Sequence, residues 1–196
     1  LLSAIAAFEH SDDPPWQFWM SLFYFNLWGL QHDHHDEAEP FAERLALLGA
    51  ESGDAITKAH ASEVFGLRSH FSDDADTARG HLLEAVRHYR QAGFTVTCFG
   101  HCLDHVSLWA VRHGDTEQAV RLLGSAEALR RDHVGAPAPA AERVWHDRAK
   151  DTTRARLGTT TFDQRFDEGR NLEPEHAGDL ATAVLLTPAL AVDAEV

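Results

Sequence analysis

Residues 115–139 read DTEQAVRLLGSAEALRRDHVGAPAP, and this stretch decides the fold class. Asp115 is an acidic helix cap, and apolar residues then recur at helical spacing. Gly135 and the prolines after it end this helix, and Pro139 falls in the first turn of another. Two more charged helical segments continue to Leu172. The pattern predicts the last part of a helical-repeat array and its closing elements.

The rest of the chain shows the same helical periodicity, without a sustained alternation of period two. Acidic caps and glycines mark the ends of its segments. Loops of two to five residues predict that neighbouring helices pack as antiparallel hairpins. The predicted helices are 14–31, 36–49, 53–70, 74–92, 96–113, 115–133, 138–157, 160–170 and 174–186.

An internal repeat supports a solenoid arrangement of these hairpins. The pattern Asp76-x3-Gly80-x2-Leu83 aligns with Asp115-x3-Ala119-x2-Leu122 at an offset of 39, and the pair Tyr89-Arg90 aligns with Leu129-Arg130 at 40. A two-helix period of this length is typical of α-solenoids. Gly80 and Ala119 are predicted to let the paired helices approach closely. An ordinary helical bundle is the alternative.

The predicted fold is therefore an all-α, tetratricopeptide-like α-solenoid of antiparallel helix hairpins with a C-terminal helical cap. Residues 1–135 form the array in this prediction, and 136–186 form capping helices of the same domain. Residues 187–196 are predicted to be a tail. Because a terminal repeat cannot bury its outer face, an array needs such a closing element.

Composition excludes several classes of function. The formal net charge of −14 argues against direct binding of nucleic acid, which needs a basic surface. The apolar run 16–30 is shorter than the ~20 residues of a membrane span, so no membrane partner is expected. Two cysteines, Cys98 and Cys102, favour reduced thiols and a cytoplasmic location. The chain begins without Met inside an apolar-periodic segment, which suggests a piece of a longer protein.

Several runs carry a resemblance to a known family. They are LLGSAEALR at 122–130, GAPAP at 135–139 followed by Glu142-Arg143, ARLG at 155–158, Phe162-x3-Phe166 and EGR at 168–170. From Asp115 to about Leu186 the chain resembles the C-terminal helical region of actinobacterial LuxR-type, ATPase-containing transcriptional regulators. The resemblance implies ATPase and helix-turn-helix DNA-binding domains elsewhere in the full-length protein. It also implies a concave face that binds a peptide, a protein or a small-molecule effector.

A histidine-rich segment is the first candidate site. His32, His34 and His35 alternate with carboxylates between two predicted helices, and these residue types can bind zinc or nickel. A metal site usually takes its ligands from two elements, however. A polar linker at a helix end is therefore the alternative, and no metal is predicted.

A second candidate lies on the helix 96–113. Cys98, His101, Cys102 and His105 fall on one face, together with Trp109. One helix cannot surround a tetrahedral ion with four ligands. The face either lines a ligand site through His101, His105 and Trp109, or packs in the core.

The third candidate is the aromatic helix at 14–31, with Trp16, Trp19, Tyr24 and Trp28 on several faces. A helix that is apolar all round is usually buried on several sides. Alternatively, these rings form a surface for a peptide, a small molecule, the preceding part of an array, or a second copy in a homodimer.

No sequence motif for catalysis is present, neither a phosphate loop nor a Gly-x-Ser-x-Gly or His-Glu-x2-His pattern. Asp104-His105 and His146-Asp147 are adjacent pairs, whose side chains diverge on a helix. We therefore predict a non-catalytic sensor or interaction module of a bacterial transcriptional regulator, without a cofactor. A freestanding scaffold or oligomerisation domain is the alternative, and a metal-responsive domain is a third hypothesis.

Overall fold

The computed structural model describes residues 2, 5, 16–94, 96–113, 115–134 and 140–187. Within these ranges the chain is all-α, with nine helices and no strand. They are α1 (Trp16–Gln31), α2 (His35–Ser52), α3 (Ala55–Phe71), α4 (Ala75–Gln91), α5 (Val96–His113), α6 (Thr116–Val134), α7 (Ala140–Leu157), α8 (Thr159–Arg170) and α9 (Pro174–Leu186). The all-α prediction is confirmed. The Gly135–Pro139 break and the tail beyond Thr187 lie outside the described residues.

Aspartates begin three of the helices. The side chain of Asp54 accepts a hydrogen bond from the Thr57 amide at 2.7 Å, and Asp74 accepts one from the Thr77 amide at 3.1 Å. Asp115 accepts from the Glu117 amide at 2.9 Å. Each carboxylate satisfies an amide that has no partner within its own helix. These caps explain why the helix starts could be predicted from the sequence.

The first six helices form three consecutive hairpins: α1–α2, α3–α4 and α5–α6. The second helix of each hairpin also packs against the first helix of the next, and α3 contacts both α1 and α5. The turns inside the first two hairpins are equivalent, because Asp33 (φ 58°) and Asp73 (φ 61°) both adopt the left-handed conformation. The first two hairpins therefore share one turn conformation.

The hairpins α3–α4 and α5–α6 are related by 41 residues, not by 39 or 40. At this offset Asp74 and Asp115 are both capping residues, and Ala78 and Ala119 are both fully buried. The predicted role of Gly80 is wrong, since it is exposed and a Cβ added there would meet nothing within 4 Å. Ala78 is the residue equivalent to Ala119. Its carbonyl oxygen lies 3.4 Å from where a Cβ on Gly66 would be.

The last three helices fold back onto the hairpins. α7 packs against α5 and α6, α8 packs mainly against α6, and α9 contacts α4, α5 and α6. Gly124 and Gly169 allow α6 and α8 to cross closely. A Cβ on Gly124 would overlap the Phe166 carbonyl oxygen, and one on Gly169 would overlap that of Arg121.

Three apolar clusters fill the molecule. One joins α4, α5, α6 and α9 around Tyr89, Phe99 and Trp109. Another joins α1, α2 and α3, and receives Trp145 from α7. A small cluster contains Phe162 and Phe166 of α8, with Val120 and Leu123 of α6. Among the helices described, none is both long and apolar enough to cross a membrane.

Candidate functional site

A buried carboxylate on α3 connects three helices. Glu63 has no exposed surface and accepts a hydrogen bond from the hydroxyl of Tyr89 on α4. Its other oxygen lies 2.7 Å from Nδ1 of His105 on α5, which is 2% exposed. Burial, and secondly the charge of Glu63, raise the pKa of Tyr89.

A second buried carboxylate, on α5, is bound in the same way. Asp104 lies 2.5 Å from Nη1 of Arg130 on α6 and 2.7 Å from Nδ1 of His146 on α7. All three residues are at least nine-tenths buried. Burial alone would raise the pKa of Asp104, but His146 and Arg130 outweigh it and hold this pKa well below its usual range.

The two sets of residues are equivalent by position. Glu63, Tyr89 and His105 become Asp104, Arg130 and His146 when 41 is added to each number. In both sets, a carboxylate on the first helix of a hairpin contacts one residue of the second helix and one residue of the helix that follows the hairpin. We call each set a polar triad. By this equivalence, His146 on α7 corresponds to His105 on α5.

Histidines and an aromatic ring fill the space between the first helices of the hairpins. The ring of Phe23 on α1 lies 4.8 Å from His60, and 6.4 Å from both His101 and His105, between ring centroids. His60 and His101 are also 41 residues apart, and each is 2% exposed. Burial lowers the pKa of His60 to about 4, against the opposing effect of Glu63. Side chains of α1, α3 and α5 therefore fill the space between these helices.

A cavity of about 190 Å³ opens where α3 and α5 end beside α7. Its walls include His70, Arg112, Trp145 and Arg148. Larger depressions lie between α6 and α9, of about 620 Å³, and beside Phe94 and Arg170, of about 740 Å³. Neither triad carboxylate lines any of these three cavities. The acid–histidine contacts are thus away from these three cavities.

Of the face predicted on α5, His101, His105 and Trp109 are all buried. The Trp109 indole donates a hydrogen bond to the Ala75 carbonyl oxygen at 3.2 Å. Cys102 is a buried free thiol and Cys98 is a half-buried one. His101 and His105 meet around Phe23, while Trp109 belongs to the cluster shared with α9. The structure places these side chains in the core and not along a groove.

The aromatic helix α1 is divided between core and surface. Phe18, Phe23 and Phe25 are buried, whereas Trp19, Tyr24 and Trp28 are half-buried. The side chain of Trp16 lies outside the described residues. The Trp28 ring stacks on His34 with 4.8 Å between centroids.

The histidine-rich segment forms the turn between α1 and α2. His32 and His34 are exposed, and His35 is partly exposed at the start of α2. Nδ1 of His34 lies 3.0 Å from Glu37. In the described part of the chain, no group of three or more histidine, cysteine or acidic side chains has a geometry that could hold a metal ion.

The polar triads were not predicted, although one sequence signal points to Glu63. His60, Glu63, Val64 and Leu67 follow the i, i+3, i+4, i+7 spacing of a buried helix face. A histidine and a carboxylate on such a face need partners from other helices. The partner of Asp104 is His146, not the adjacent His105.

The region for which the sequence predicts a resemblance to bacterial regulators, from Asp115 to about Leu186, corresponds to α6 through α9. These helices pack together and onto α4 and α5. Comparisons with models of protein families, with curated proteins and with solved structures find no match to this chain.

Proposed function

We propose that this chain is a non-catalytic, tetratricopeptide-like α-solenoid that serves as a sensor or interaction module of a cytoplasmic bacterial transcriptional regulator. The observation that carries the proposal is the 41-residue equivalence of the two polar triads. A buried polar contact at the same place in successive units is expected of a repeat array. An unrelated set of packed helices gives no reason for it.

The pattern of helix contacts also supports a repeat array. Each hairpin packs internally, each second helix packs against the next first helix, and neighbouring first helices touch. A linear array needs these three kinds of contact. The contact between α1 and α7 is additional to them. The last helix, α9, returns to α4, α5 and α6, which suits a cap that closes the array.

The filled space between α1, α3 and α5 suggests how such a module would act. An effector does not find an open channel between the first helices, because Phe23, His60 and His101 occupy it. We therefore place the response in the joints between hairpins, where the triads fix one relative orientation. A ligand that prefers one orientation by ~1–3 kcal/mol would bias attached ATPase and DNA-binding domains.

A non-catalytic role agrees with the surroundings of the acid–histidine contacts. A general base must reach a proton on a bound substrate. Glu63 and Asp104 are each bound instead by partners from two other helices, and they line none of the cavities described above. Their arrangement is suited to holding helices together.

The test uses the full-length protein. Its reading frame should encode an ATPase or a helix-turn-helix domain, and Arg130→Met, which breaks the second triad, should change the ATPase rate or the DNA affinity. Arg87→Met, at an exposed position on α4, should leave both unchanged. A reading frame with neither domain would overturn the regulator proposal and favour a freestanding scaffold.

A further inference from the structure

The 190 Å³ cavity beside α7 has apolar walls and basic side chains at its rim. Leu108 and Trp145 form part of the apolar wall, and Thr152 adds a hydroxyl. Trp145 is 4% exposed, and its ring lies 5.6 Å from that of Phe71. The volume is below the ~300–1,000 Å³ of sites for drug-sized ligands. A compact, fragment-sized molecule is therefore the occupant that fits.

Two guanidinium groups border this cavity in a chain whose formal net charge is −14. Arg112 on α5 pairs with Asp73 and donates to the His70 carbonyl oxygen at 3.3 Å. Arg148 on α7 is exposed, and no ion-pair partner is recorded for it in the described part of the chain. Because Asp73 pairs with Arg112, Arg148 is the exposed cation that remains for an anionic ligand.

His70 adds an unsatisfied polar atom to the same wall. It is 6% exposed, and its Nδ1 has no hydrogen-bonding partner within the described residues. Leaving a buried polar atom unpaired costs roughly 1–3 kcal/mol, so an unpaired nitrogen at this wall needs an explanation. Burial lowers the pKa of His70 to about 4, and the charge of Arg112 is the second cause. His113 and His105 also lower this pKa, whereas Asp73 raises it. The imidazole of His70 therefore stays neutral in a wall that also contains Arg112 and Arg148.

We propose that this cavity binds a small organic monocarboxylate with an aromatic body, whose carboxylate is held by Arg112 and Arg148 and whose ring contacts Trp145. The apolar wall suits the ring, and guanidinium groups are the side chains that best match a carboxylate. The cavity joins α3, α5 and α7, so binding would act across two joints of the array. This effect on the joints rests on the sensor function proposed above. Binding of the carboxylate itself can be measured whether or not the chain is a sensor.

Benzoate is the probe, and benzamide, which has the same ring without the charge, is its control. Titration calorimetry on the whole chain should detect benzoate binding and no benzamide binding. Arg148→Gln should weaken benzoate binding at least about tenfold, the loss expected for one charge-assisted hydrogen bond. Arg143→Gln removes the same charge from an exposed position of α7 that does not line the cavity, and should change nothing.

Nitrogen–proton NMR spectra locate the bound ring. The indole signal of Trp145, identified through Trp145→Phe, should shift with benzoate and not with benzamide. Equal binding of both probes, equal loss in the two arginine variants, or no benzoate binding would each overturn the site. None of these results would contradict the sensor function, which the full-length protein tests separately.

Discussion

Each of the two buried carboxylates in the polar triads has two hydrogen-bonding partners of its own. Asp104 has both Arg130 and His146 within 2.7 Å, and Glu63 has both Tyr89 and His105 as partners. A buried ion pair is weak support for stability, because desolvation offsets its attraction. The three residues of each triad, however, come from three different helices. The effect expected of the triads is therefore to fix how one hairpin lies against the next.

Removing one partner should reveal that constraint. Arg130→Met keeps the approximate size of the side chain but removes its charge, so His146 is the remaining partner of Asp104. The free energy of unfolding should fall by about 3 kcal/mol or more. Urea unfolding measures the loss. The double variant Asp104→Asn with Arg130→Met should recover part of it, since the unpaired charge is gone. Additive losses would show that the two residues do not act together.

The buried histidines should make stability depend on pH. The pKa of His60 is about 4 when folded, below its value of 6.5 when unfolded. The unfolded chain therefore takes up a proton first, and the protein loses stability as the pH falls from about 6.5 towards 4. For His60 this amounts to roughly 2 kcal/mol between about pH 7 and about pH 5.

Urea unfolding of dilute samples at several pH values tests this contribution. His60→Gln should reduce the slope between those pH values, because one titrating group is removed from the core. His176→Gln changes an exposed histidine on α9 and serves as the control. An unchanged slope in His60→Gln would contradict a depressed pKa at this position.

At the scale of elements, two helical glycines, Gly124 and Gly80, lie in opposite surroundings. Gly124 lies where α6 meets the backbone of α8, whereas Gly80 lies on an open surface of α4. Gly124→Ala should therefore cost about 3 kcal/mol or more, because a Cβ would overlap backbone that cannot easily move. Gly80→Ala should instead stabilise α4, by up to ~1 kcal/mol. Thermal unfolding of both variants measures the contrast, and a similar loss in both would show that the close crossing is not needed.

The helices could be predicted because their signals are local. Asp54, Asp74 and Asp115 accept from amides two or three residues ahead, so the caps are visible in the sequence itself. The register of the repeat was misjudged by two residues, since Gly80 and Ala78 are both small and only packing distinguishes them. The triads depend on partners 26 to 42 residues away, which no local pattern reveals.

At the scale of the whole molecule, net charge sets the conditions under which it stays dispersed. With a formal charge of −14 and a sequence pI near 5.3, mutual repulsion disappears near pH 5. Solubility should therefore pass through a minimum there and recover towards pH 8. Light scattering across this range measures it. Constant solubility would show that repulsion between molecules does not control their association.

We expect the last helix, α9, to make the hairpins it contacts unfold as one unit. It packs against α4, α5 and α6, and therefore spans two hairpins. Its fully buried Ala181 belongs to the same cluster as Phe94 and Tyr89. Ala181→Asp would place a charge in that cluster at a cost of several kcal/mol, and should undock α9. Ala183→Asp adds the same charge at an exposed position of α9 and is the matched control.

Hydrogen exchange measured by mass spectrometry distinguishes the outcomes. If α9 ties the hairpins together, Ala181→Asp should lower the protection of amides in α4, α5 and α6 along with those of α9, while Ala183→Asp leaves all of them protected. If only α9 loses protection, the hairpins are held by their own contacts and by the triads, and α9 merely covers them. The first result is expected, because α9 contributes buried side chains to a core that α4, α5 and α6 cannot close alone.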